Sequence, residues 1–183
     1  MERRVFLQFP LVAAAMASGI DLKPQERPGR GYKVSAGTDH FLKELDVMGG
    51  KFDCLVSAKD TGGDLCIYNT FREERGGPAL HIHHYQDEWF YVIKGEFIAQ
   101  VGNDMLSLKP GDSAFAPRKV AHAFAKINEG SAQMLVLFQP AGSMEDFFLQ
   151  MSRMGSTIPK EQEKMKEFYR THGMELVGPP LKI

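Results

Sequence analysis

Residues 81–95 read HIHHYQDEWFYVIKG and residues 111–124 read GDSAFAPRKVAHAF. The first stretch carries two histidines at positions i and i+2, which on a β-strand point to one face, so His81 and His83 project side by side. Glu88 opens the apolar run that ends at Gly95, and a hairpin return is expected to bring its carboxylate alongside the imidazoles. In the second stretch His122 follows Gly111 and Pro117, on a strand that an antiparallel barrel lays beside the first pair. Three neutral nitrogens and one carboxylate are the donor set of a divalent first-row metal with open positions. Taken singly, each of these histidines reads as a satisfied polar residue near a sheet edge, and Glu88 as a solvated strand start. Their joint spacing is what carries the metal reading.

Outward from these stretches, the chain is a succession of short apolar runs. KFDCLVSA and DLCIYNTF flank KDTGG in residues 51–71, predicting a hairpin whose glycines supply positive φ. ALHIHH, EWFYVIKG, EFIAQVG, MLSLKPGD, SAFAPR, HAFAKI and QMLVLFQP follow, each punctuated by Gly, Pro, Asn or Asp. Such strands predict an antiparallel sandwich or barrel. After Pro140 the period changes: Met144, Phe147, Phe148, Met151 and Met154 recur at helical spacing, as do Met165, Phe168, Tyr169 and His172. Two C-terminal helices are expected, with these stripes packed on the protein's own sheet.

The spacing HxHx4Ex6G at His81, His83, Glu88 and Gly95, followed by Gx5Px4H at Gly111, Pro117 and His122, resembles the two motifs of the cupin superfamily. The resemblance covers roughly Gly76 to Pro140 and implies an all-β fold, a cupin (double-stranded β-helix, jelly-roll) barrel, here followed by two α-helices. It implies that His81, His83, Glu88 and His122 are metal ligands and that Gly95, Gly111 and Pro117 are turn residues. Lys119 stands where the second motif often has Gly, Lys126 where it often has Asn, and Arg75 where the first often opens with Gly. The pattern is most similar to single-domain bacterial cupins described as quercetin-dioxygenase-like. That implies a mononuclear metal dioxygenase acting on a small aromatic or enolic substrate and O2, with Glu88 also placed to move a proton. Isomerase or lyase chemistry on the same ligands, and a non-enzymatic small-molecule-binding cupin, are the alternatives. The cofactor is one divalent transition metal, drawn from Fe, Mn, Ni, Co, Cu and Zn.

Around this centre the chain is expected to divide into residues 1–19, 20–50, 51–140 for the barrel and 141–183 for the helices. Residues 1–19, MERRVFLQFPLVAAAMASG, pair Arg3 and Arg4 with an apolar run and small residues, as in a twin-arginine-like export signal. A buried N-terminal arm is the other reading. Export predicts a periplasmic or secreted protein, and the arm a cytoplasmic one. The apolar run is too short to span a membrane.

The 183 residues carry 22 Lys plus Arg and 23 Asp plus Glu, a net charge of -1, so no basic excess supports a nucleic-acid partner. Phe90, Val92, Phe115 and Phe124 are expected to line an apolar pocket around the metal. Lys126 shares the parity of His122 and Phe124 and reads either as a pocket cation or as a solvated strand end. His84 points to the opposite face, as surface. Trp89 and Tyr91 are expected beneath the helices or in a homodimer contact. Cys54 and Cys66 stand on opposite arms of the KDTGG hairpin, as a cross-strand disulfide or as two buried thiols.

Overall fold

A computed structural model describes residue 27 and residues 29–43, 45–155 and 161–183. The expected signal at 1–19, residues 20–26 of the expected extended segment, Pro28 and Pro159 lie outside the described residues. The strands are β1 (Leu45–Val47), β2 (Gly50–Val56), β3 (Cys66–Arg72), β4 (Ala79–His83), β5 (Asp87–Lys94) and β6 (Phe97–Val101). They continue with β7 (Asp104–Leu108), β8 (Ser113–Ala116), β9 (His122–Lys126), β10 (Ala132–Gln139) and β11 (Met174–Pro180). Two helices, α1 (Met144–Met154) and α2 (Gln162–Thr171), stand between β10 and β11.

Two antiparallel sheets face each other as a jelly roll, one ordered β1-β2-β3-β10-β5-β8 and the other β11-β4-β9-β6-β7. Alternation along each strand decides which side chains enter the interior. On β5, Glu88, Phe90 and Val92 are buried while Tyr91 and Ile93 are exposed; on β10, Met134, Val136 and Phe138 are buried. Gly95 turns β5 into β6 with φ 82°, and a Cβ there would lie 2.5 Å from the Ala132 Cβ, so both backbone and space demand glycine.

The helices behave as their periodicity predicts. Met144, Phe147, Phe148 and Met151 of α1 are buried against the strands, and Phe148 sits 4.9 Å from both the Phe52 and Tyr68 rings. Ser143 Oγ donates to the His172 carbonyl at 2.7 Å, tying the start of α1 to the end of α2. Beyond the helices, β11 returns to pair with β4, where residues 174–180 were expected to belong to the helical segment; Pro179 and Pro180 lie in it, and an edge position tolerates them.

Several readings of side-chain direction change. Phe115 is 56% exposed: Ala114 and Ala116 are the inward residues of β8, so its parity is opposite to the one expected. Trp89 and Tyr91 stack on each other at 5.8 Å on the outer face of the sheet, and not beneath the helices. The KDTGG hairpin is present, but its register sets Cys54 opposite Tyr68 while Cys66 faces Phe138, so both cysteines are free, buried thiols. Burial, the largest cause, pushes the Cys54 thiol up to about 12.

Candidate metal centre

His81 and His83 come from β4 and His122 from β9, and His81 and His122 are direct partners across those two strands. Glu88 reaches them from the opposite sheet, where it pairs with Phe138 and Ala116. The expected hairpin return from β4 to β5 is therefore absent: residues 84–86 cross between sheets, and the carboxylate meets the imidazoles across the interior. The four donor groups are all buried, and one donor atom from each lies within 4.8 Å of every other.

The main chain presets two of the rings. His81 Nδ1 donates to the Ala79 carbonyl at 2.7 Å and His122 Nδ1 to the Val120 carbonyl at 2.9 Å. A carbonyl can only accept, so these rings carry their proton on Nδ1 and turn Nε2 inward, as metal-binding imidazoles do. The three Nε2 atoms converge on one oxygen: His122, His83 and His81 lie 2.8, 3.3 and 3.9 Å from Glu88 Oε2. A bare imidazole lone pair facing a carboxylate oxygen needs a positive centre between them, either a proton or a cation. Three nitrogens and a carboxylate about one such point fit a divalent ion.

Electrostatics describe the same demand. Burial pushes the Glu88 carboxyl up, but the hydrogen bonds and charges of His122 and His83 outweigh it and leave it well below the usual carboxylate range. Burial pulls the His122 imidazole down, and the hydrogen bond and charge of Glu88 reverse the sign and raise it. His81 falls to about 3, first through burial and then through the neighbouring His122 and His83. Without a metal, the proton in this cluster belongs with His122 and Glu88.

A cavity of about 40 Å³ opens onto His81, His83 and Glu88, walled by Phe124 and Phe138 and covered by Phe148 and Tyr169 of the helices. The Tyr169 ring lies 6.0 Å from that of His81, and burial followed by the Glu88 charge raises its hydroxyl pKa. Phe90 and Val92 are buried in the core but do not line this cavity; of the apolar set expected around the site, Phe124 alone does. Lys126 is neither a pocket cation nor a solvated strand end: it is fully buried, and its Nζ donates to the Glu73 and Asn128 carbonyls at 2.6 and 2.9 Å. His84 is at the surface, 3.6 Å from Glu175. The cation on the cavity wall is Arg72, which sequence reasoning passed over although it shares the inward parity of Cys66 and Tyr68 on β3.

Comparison with known proteins gives the same picture of the fold. Residues 70–138 match the cupin domain family. The chain is 28% identical over 67 residues to the uncharacterised protein MJ1618 of Methanocaldococcus jannaschii, a match covering 37% of this chain and 54% of that protein. It thus spans about half the length of the curated relative it matches. An RmlC-like cupin from Shewanella frigidimarina superposes with a TM-score of 0.51 at 24% identity, covering 64% of this chain and 96% of that one. KdgF from Halomonas sp. does so with a TM-score of 0.50 at 23% identity, covering 59% and 94%.

Proposed function

We propose, from the cupin fold of this chain and the buried histidine and glutamate cluster inside it, that the protein is a mononuclear metal dioxygenase acting on a small enolic or aromatic substrate. The observation that carries this reading is the convergence of three histidine Nε2 atoms within 3.9 Å of a single Glu88 oxygen. His81, His83, Glu88 and His122 would hold a divalent metal, which would supply Lewis-acid charge to an oxygen of the substrate and to O2 chemistry. The protein's own residues do the rest. The carbonyls of Ala79 and Val120 hold the imidazoles in one tautomer, so little reorientation is needed as ligand enters. Phe124, Phe138 and Phe148 exclude water from the site. Glu88, an anion at neutral pH, is placed to accept the hydroxyl proton of an enol. The size of the cavity favours a substrate of a few heavy atoms over a three-ring flavonol.

The test is elemental analysis of the purified full chain, then oxygen uptake across a panel of small enols, catechols and flavonols, with Glu88→Gln as control. One metal per chain and substrate-dependent oxygen uptake, lost in Glu88→Gln, are the expected results. Equal turnover under argon overturns the dioxygenase in favour of an isomerase or lyase, and ligand binding without turnover favours a binding protein.

A further inference from the structure

Arg72 is a charged group that the chemistry above leaves without a task. It ends β3 on the inward face and is only 4% exposed. Both of its terminal nitrogens donate to one main-chain oxygen, that of Met48, at 2.9 Å each, while its Nε has no partner. Met48 belongs to the turn between β1 and β2 and has φ 49°, a left-handed conformation, so this half-satisfied arrangement is held in place by the backbone. The face of Phe124 covers the guanidinium at 5.8 Å. Among the described residues no carboxylate neutralises it, and burial is the cause of its lowered pKa. A guanidinium remains charged at any pH at which a protein is folded, and a buried charge without a counter-charge is costly.

Arg72 lines the same cavity as His81, His83 and Glu88. Glu88, the other charge on its wall, faces the histidines and not Arg72, so a divalent ion held there would leave the cavity positive and favour an anionic ligand. The cavity, about 40 Å³, is small, so it favours a short anion over a long one. Met48, Met144 and Met174 on its wall are flexible side chains that adapt to such a guest. The planar fork of a guanidinium matches a carboxylate, with Nε and one terminal nitrogen as parallel donors.

We infer that Arg72 is the specificity-determining residue of this cavity and that the ligand it selects is a small carboxylate, its carboxyl group on the guanidinium and its other end facing the histidines. This deepens the proposed function, resting on it for the far end of the ligand, whereas the guanidinium contact stands without a metal. The experiment therefore measures binding in both metal-loaded and metal-stripped full chain, by NMR saturation transfer to the methyl group of pyruvate and of its uncharged amide. Pyruvate is expected to bind at least tenfold more tightly than pyruvamide in both states. Arg72→Met should close that gap to less than twofold with metal content unchanged, and Arg72→Lys should restore part of it. The Arg72 Nε–H resonance of the unsubstituted protein should shift with pyruvate and not with pyruvamide, which reads the contact even where Arg72→Met fails to fold. No gap in the unsubstituted protein, a gap that persists in folded Arg72→Met, or tighter binding of inorganic phosphate than of pyruvate would each overturn the assignment. Absence of oxygen uptake with the gap intact sinks the dioxygenase alone.

Discussion

The two sheets share one interior but equip it differently. The five-stranded sheet contributes the nitrogen donors His81, His83 and His122, two of them clamped by main-chain carbonyls at or beside their own strand ends. The six-stranded sheet contributes the charges, Glu88 on β5 and Arg72 on β3, and carries the aromatic packing of α1 through Phe52, Tyr68 and Phe138. Donor geometry is thus set by backbone hydrogen bonds in one layer, and charge and support by side chains in the other. If that division is real, damage to one layer should be separable from damage to the other.

The largest effect is expected where α1 leans on the six-stranded sheet. Phe148 is buried among Phe52, Tyr68, Phe138 and Phe147, and Phe148→Ala should cost about 3–5 kcal/mol through lost burial and the cavity left behind. Urea unfolding measures it. Metal affinity of the folded fraction should change less than threefold, because three of the four candidate donors belong to the other sheet; a loss of tenfold or more would break the separation.

Next come the two kinds of ligand. His83→Ala removes a nitrogen donor from a buried position, and metal affinity should fall by more than the ~10–100-fold typical of disturbing a ligand's hydrogen-bond partner. Glu88→Gln keeps shape and removes charge, leaving three nitrogens in place, so its loss should be the smaller of the two. Competition against a chelator gives both values on folded protein. The reverse order would mean that charge from the six-stranded sheet, and not the histidine geometry, holds the metal.

How much of this was legible in the chain depends on whether the information was local. The candidate ligands at 81, 83 and 88 lie within eight residues, and His122 lies in a second short motif, so their convergence could be worked out from spacing and strand periodicity. The helical stripe of α1 was legible for the same reason. Register was not. A two-residue displacement of the β2–β3 pairing puts Tyr68 and not Cys66 across from Cys54, and a one-residue error on β8 turned Phe115 inward. The crossing of residues 84–86 between sheets replaced an expected hairpin, since sequence does not say which sheet the next strand joins. From sequence, Lys126 reads as a pocket cation or a solvated strand end and Arg72 is passed over, because an arginine or lysine near a strand end looks solvated until tertiary contacts supply carbonyl acceptors.

The smallest prediction sharpens the histidine side of the comparison. Lys119, where the second motif often has glycine, adopts φ 67°, a left-handed conformation, while its N–H donates to the His83 carbonyl at 2.7 Å. The turn from Pro117 into β9 therefore bonds directly to the strand that carries His81 and His83. A side chain in this conformation costs ~1–2 kcal/mol, and a glycine loses ~0.4–1 kcal/mol of that advantage through its freer unfolded chain. Lys119→Gly should accordingly stabilise the protein by roughly 0.5 kcal/mol, a rise of about 1–2 °C in Tm for a chain of this size. Metal affinity should stay the same, because the N–H that meets His83 is retained. A fall in Tm would show that the Lys119 side chain contributes more to the turn than its backbone conformation takes away, and a change in affinity would show that the turn tunes the donors it borders.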